Sequence, residues 1–231
     1  MIQIDTPDTT IHRFGMEEVV RATRHGKAKG KKLESWIGLG EVMPVLITLE
    51  DVQEDPELAL FVRNSSKDRY AYYYVKFLCS FGPMADEVLD RAVLNVSLRR
   101  IDGARDRIPI AWSMQPTEQY TSKEVTRKAE IGAKLYFLSP QIDTTVKEEL
   151  KTACIRAYRV GESTPYWEFS GTDQFKLDGT QRLHMIVRAP SGAVTEGTVE
   201  LSAFVQRRRF VIITKDQAVD QRPIHRFVLP A

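Results

Sequence analysis

Between positions 125 and 137 apolar and polar residues alternate. Val125, Ala129, Ile131, Ala133, Leu135 and Phe137 share one parity, broken only by Arg127, while Thr126, Lys128, Glu130, Lys134 and Tyr136 share the other. A period of two is what a strand with one dry and one wet face requires. A helical face starting at Val125 would gather Lys128 and Gly132 beside Ala129, which is the poorer pattern. The alternation recurs. Ala71, Tyr73, Val75, Phe77, Cys79 and Phe81 interleave with Tyr72, Tyr74 and Lys76, and Ala92, Leu94, Val96 and Leu98 interleave with Asn95, Ser97 and Arg99. Runs at 42–49, 58–62, 108–114, 152–160, 166–169, 182–188, 198–205 and 209–214 read as further strands. Asp102-Gly103, Asp178-Gly179, Pro190-Ser191-Gly192 and Glu196-Gly197 supply turn chemistry between them. Pro109 cannot donate a ladder hydrogen bond, which places 108–114 near a sheet edge.

The opening region differs. Residues 15–25 read as a short helix, with Glu17 and Glu18 in the first turn, Arg21, Arg24 and His25 toward the end, and Gly26 to stop it. Lys27, Lys29, Lys31 and Lys32 then form a basic loop. The predicted fold is mainly β, an antiparallel β-sandwich built as one large or two small sandwiches, with this short N-terminal helix. Regularly spaced short strands with Gly and Pro turns are its sequence sign. Residues 1–32 form the N-terminal helix and basic loop and 33–231 the sandwich region. The polar stretch at 113–122 marks either an internal boundary or a crossing between two sheets of one domain.

Composition narrows the class without naming a function. With 231 residues, 42% hydrophobic and 28% charged, the chain can bury a core and is not a disordered segment. A formal charge of +2 gives only a weak general pull toward polyanions. The start of the chain carries no basic stretch followed by an apolar run, so a cytoplasmic protein is the expectation. Cys79 and Cys154, each within an apolar run, read as reduced buried thiols. The usual catalytic motifs are missing: there is no nucleophile elbow, phosphate loop, dinucleotide fingerprint or H-E-x-x-H pair. His12, His25, His184 and His225 are scattered at no ligand spacing. No catalytic residue, metal or cofactor is therefore expected.

Three surfaces could serve binding. The basic loop Lys27, Lys29, Lys31 and Lys32 could attract phosphates or acidic partners, as could Arg207, Arg208 and Arg209, which alternatively blunt an edge strand. Tyr72 and Tyr74 could form a stacking platform or simply pack across a half-buried sheet. Tyr166, Trp167 and Phe169 read better as a core plug than as a ligand site. The C-terminal part, with Tyr166-Trp167-Glu168-Phe169, then 182–190 and 197–203, resembles uncharacterised bacterial β-rich proteins encoded beside trypsin-like or caspase-like proteases. That resemblance implies a partner or target of a protease in a defence-like system and transfers no functional residue.

The leading functional expectation is thus a non-enzymatic protein-binding or scaffold module with a protein partner, nucleic acid being disfavoured. A second is a membrane-active effector, released by proteolysis, in which 125–158 forms a hairpin of two amphipathic strands. Each strand of a transmembrane barrel needs roughly 9 to 11 residues with alternate positions facing lipid. Arg127, Glu148 and Glu149 count against it, because charge on a lipid face is costly. A third is an enzyme whose site is composed without a recognisable motif.

Overall fold

The computed structural model describes residues 10–17, 32–67, 69–84, 87–104, 106–120, 153–172, 175–209, 212–218 and 224–230. The region 125–137 and Lys27, Lys29 and Lys31 lie outside the described residues. Two antiparallel sheets face each other. The first runs β1 (Ile11–Glu17), β2 (Lys32–Gly40), β4 (Tyr70–Gly82), β10 (Gly179–Pro190) and β6 (Ile110–Gln115), with β3 (Pro44–Leu46) also on β4. The second runs β12 (Ile212–Ala218), β11 (Thr195–Arg209), β5 (Glu87–Arg100), β9 (Tyr166–Ser170), β8 (Ala153–Tyr158) and β7 (Glu118–Tyr120), with β13 (Ile224–Leu229) also on β11. As Pro109 requires, β6 is an edge strand.

The parities read from the sequence become the two inner faces. Tyr73, Val75, Phe77, Cys79 and Phe81 meet Leu94, Val96, Trp167, Phe169, Val199 and Leu201 in one buried cluster that spans both sheets. Aromatic edges lock the layers together, Phe77 against Trp167 at 5.6 Å and Phe81 against Phe169 at 5.3 Å between ring centroids. Residues 116–117 carry the chain from β6 in the first sheet to β7 in the second.

Three local expectations are corrected. The helix, α1, spans Pro56–Lys67, where 58–62 read as a strand. The Leu58 N–H donates to Asp55 Oδ1 at 3.3 Å and the Ala59 N–H to the Asp55 carbonyl at 2.8 Å. Asp at the cap with Pro at the first helical position is a strong start signal. Leu58 and Val62 then pack on Tyr72 and Ile186 of the outer face of the first sheet. Conversely, residues 15–17, predicted to open a helix, complete strand β1, because Gly15 pairs with Trp36 and Glu17 with Lys32. Tertiary pairing overrides a weak local preference there. Finally, Gly197 lies inside β11 rather than in a turn: a Cβ there would come within 2.1 Å of the Phe227 ring. By contrast Gly103, Gly179 and Gly192 have φ of 70°, 68° and 77°, as their turns demand.

Strand direction gives the sandwich two ends. At the basal end β4 finishes at Gly82, β5 begins at Glu87 and Gly179 pairs with Phe81. At the apical end Tyr70 pairs with Pro190, and Arg100 with Thr195.

Candidate functional site

The basal end collects features that are far apart in sequence. Strand β1 ends and β2 begins there at the Glu17–Lys32 pair, so residues 18–31, which contain Lys27, Lys29 and Lys31, start and finish at this end. Strand β11 reaches the same end, where Arg207 pairs with Glu87, and its last residues Arg208 and Arg209 continue the β12 ladder past the start of β5. The strand ends that flank the lysine segment and the strand that carries the arginines thus meet at one end of the described residues. The strands β7 and β8 also open toward it. Tyr158 pairs with Tyr166, level with Asn95, whereas Ile155 pairs with Phe169, level with Ala92 nearer the start of β5. Residues 121–152 therefore leave from two adjacent antiparallel strands on the basal side.

The β7–β8 ladder carries a register shift. Glu118 faces Arg156 and Gln119 faces Ile155, but Tyr120 faces Ala153. Such a bulge inserts one residue and exchanges the faces of everything beyond it. The Glu118 carboxylate and Arg156 Nε form an ion pair at 3.0 Å, one pair before the Gln119–Ile155 pair at which the shift begins. Cys154 Sγ donates to the Gln119 carbonyl at 3.1 Å, and burial pushes its pKa up.

The tyrosines divide between faces. Tyr73 points inward and its hydroxyl donates to the Pro230 carbonyl. Tyr72, only 4% exposed, lies under α1, with Phe61 at 5.3 Å and Trp112 at 5.9 Å. Its ring is consumed by packing, so of the two readings open for Tyr72 the half-buried packing layer holds and Tyr72 offers no open stacking surface. Burial raises the pKa of the Tyr72 and Tyr74 hydroxyls.

Tyr74 stacks on His184, and its hydroxyl hydrogen-bonds Nδ1. The His184 pKa lies below its ordinary value, first through burial and then through the nearby positive charges of Lys76 and Arg182. The unfolded imidazole protonates near about 6.5 while the folded one resists. The unfolded state therefore binds more protons as pH falls, and stability is expected to drop from about pH 7 down to the depressed folded value. His184→Gln can still accept from Tyr74 but does not titrate. Urea unfolding at about pH 7.5 and 5.5 should show a smaller pH-dependent loss in this variant than in the parent. His225, whose pKa is also lowered, is common to both proteins, so an equal loss in the two would exclude His184 as a source.

Cys79 is fully buried in the core and its thiol pKa is pushed far up by burial. Among the described residues no group of three His, Cys, Asp or Glu side chains is placed to hold a metal. Among them, too, no helix is long and apolar enough to cross a membrane, which leaves strands unaddressed.

No family model matches the sequence, and no curated protein does. Several solved structures are similar in outline. A protein titled pore forming protein is 7% identical, with 98% of this chain and 93% of that chain covered, at a TM-score of 0.35. The Clostridium perfringens NetB toxin in the membrane inserted form is 7% identical, with 95% of each chain covered, at 0.32. Clostridium perfringens delta-toxin is 8% identical, with 94% of this chain and 89% of that chain covered, at 0.28. Likeness at this level assigns the chain neither a family nor an activity.

Proposed function

We propose that the protein is a membrane-active effector that inserts 121–152 into a bilayer as a β-hairpin, with the basal end toward the lipid. The observation that carries this reading is the β7–β8 ladder, whose register suits the sequence it frames. Continued outward from the Tyr120–Ala153 pair, it sets Ile131 opposite Ile142 and Ala129 opposite Thr144. Residues directly opposite share a face. Without the shift, the Gln119–Ile155 register would set Ile131 opposite Asp143 and mix the two faces.

Two of the three charges that counted against insertion find a place in this hairpin. Arg127 and Glu148 fall on the apolar face as diagonal neighbours, near the root rather than the centre. Charge near the interface costs about 0 to 1 kcal/mol, against about 2 to 4 kcal/mol for a basic residue at the midplane. Arms reaching Arg127 and Val146 supply roughly the 9 to 11 residues a spanning strand needs. Tyr136 and Phe137 form the tip, where aromatic side chains suit the far interface. The basic residues Lys27, Lys29, Lys31, Lys32, Arg207, Arg208 and Arg209 favour an anionic surface at the end from which the hairpin leaves.

Dye release from vesicles containing phosphatidylserine, before and after limited proteolysis, tests this. Leakage by the intact or the nicked protein is the expected result, and leakage by neither removes the reading.

A further inference from the structure

We propose that the apical end, remote from the β-hairpin, is a docking surface for an acidic polypeptide segment carrying aliphatic side chains. Three arginines carry the argument. Among the described residues, every non-glycine residue with a left-handed backbone is an arginine: Arg69 at φ 63°, Arg107 at 50° and Arg159 at 59°. Such φ values strain any residue with a Cβ, whereas glycine adopts them freely. Nearby positions use glycine where conformation alone matters, with Gly103, Gly161 and Gly192 at φ 70°, 89° and 77°. At the arginine positions a long side chain is thus carried at the expense of backbone comfort, a pattern that points to function at Arg69 and Arg107 and, at Arg159, goes with a side chain held by Thr164 Oγ1 at 3.2 Å and by the Tyr166 ring.

Backbone hydrogen bonds gather these loops at one end. The Ser191 N–H donates to the Arg69 carbonyl at 2.8 Å, and the Ile101 N–H to the Val194 carbonyl at 3.1 Å. The Gly161 N–H donates to the Ala111 carbonyl at 2.7 Å, beside the Arg107 loop. All three arginines are exposed. Nearby carboxylates are already engaged elsewhere: Asp102 and Asp106 by Arg100, and Glu196 by Arg99. Among the described residues no carboxylate pairs with Arg69, Arg107 or Arg159, although Glu162 lies in the same loop as Arg159.

The same loops carry exposed aliphatic side chains, Ile101 at 58% exposure, Ile108 at 48%, Val194 at 39% and Val160 at 36%. Ile101 and Ile108 border a groove of about 420 Å³. Exposed aliphatic side chains sharing one end of the fold with arginines unpaired among the described residues suit a protein interface, whose core is apolar and in which Arg is enriched. The rings at this end are already engaged, Tyr158 stacked on Tyr166 at 4.8 Å and Tyr70 under the Arg188 guanidinium at 4.7 Å, so they do not offer the open stacking platform that nucleic acid would want. The choice of polypeptide over lipid rests on the orientation proposed above, which turns the apical end away from the bilayer.

The test is fluorescence anisotropy with a labelled peptide of Glu and Asp interspersed with Leu, compared with the same peptide carrying Lys for the acids. Saturable, salt-sensitive binding of the acidic peptide alone is expected. The triple variant R69G/R107G/R159G should bind at least about tenfold more weakly. Its melting temperature should be unchanged or raised, because glycine relieves the left-handed backbone. Ile101→Ser should weaken binding without altering its salt dependence. Failure of the acidic peptide to bind, equal binding by the triple variant, or sedimentation with phosphatidylserine vesicles that depends on these arginines would each overturn the proposal. Dye release is a separate measurement, so loss of the hairpin reading leaves peptide binding measurable, and the reverse.

Discussion

Replacing Trp167 by Ala is expected to cost about 3 to 5 kcal/mol of folding stability. That is a large share of the roughly 5 to 15 kcal/mol available to a domain. Trp167 has no exposed surface, meets the edge of Phe77 across the sheet interface, and donates its indole N–H to the Pro116 carbonyl at 3.1 Å. Truncation would open a cavity between the layers and also strand that carbonyl, at the point where the chain passes from one sheet to the other. Trp167→Phe keeps an aromatic edge for Phe77 and loses chiefly the hydrogen bond and part of the volume, so its cost should be smaller, about 1 to 3 kcal/mol. Urea unfolding followed by circular dichroism distinguishes the two. Equal and small losses would mean that the sheets are not held together through this ring.

The Trp167 environment was legible because its neighbours alternate: Trp167 and Phe169 are buried while Tyr166 and Glu168 are not. Strands with one dry face announce themselves in this way, and Tyr73, Phe77, Val187 and Leu201 all fall on the inner faces their parities required. Segment 56–67 misled because its apolar residues are few and close together. The informative signal there was Asp55-Pro56, a cap followed by a first-turn proline, rather than the run at 58–62. The end of strand β1, residues 15–17, is hidden in the sequence for a different reason. Acids early and bases late suit a helix, yet the partner strand lies more than a dozen residues away across a basic segment, and only pairing reveals it.

Sites were less legible than strands. Each basic cluster is visible in the sequence, but that the strands flanking the lysine segment and the strand carrying the arginines end on one side depends on the direction of β1, β2 and β11, which no local pattern encodes. The face exchange between Gln119 and Tyr120 is likewise invisible without a partner strand. Arg69, Arg107 and Arg159 gave no signal, because left-handed backbone is marked in a sequence by Gly or Asn, and an arginine there looks like any surface residue. Tyr72 differs in the other direction: it is conspicuous in the sequence, yet α1, which covers it, is hidden in a run that reads as a strand.

Ile131→Lys should reduce vesicle leakage by roughly 30-fold or more, if the hairpin inserts as proposed. In the proposed hairpin, which extends the register of Tyr120 and Ala153, Ile131 would stand midway between Arg127 and the tip on the lipid-facing side. A lysine there costs about 2 to 4 kcal/mol per strand at the bilayer midplane, and each 1.4 kcal/mol is about a factor of ten. Gly132→Lys adds the same charge one residue away, on the opposite parity, where it faces water. Leakage by this variant should stay within a few-fold of the parent. The pair matters more than either variant alone, since both add one lysine to the same segment and change net charge, solubility and attraction to anionic vesicles alike. Only the side of the strand differs. Thermal melts should be compared before leakage is scored, so that a folding defect is recognised as such. Equal leakage from the two variants would mean that the alternation at 125–137 serves a sheet that never meets lipid.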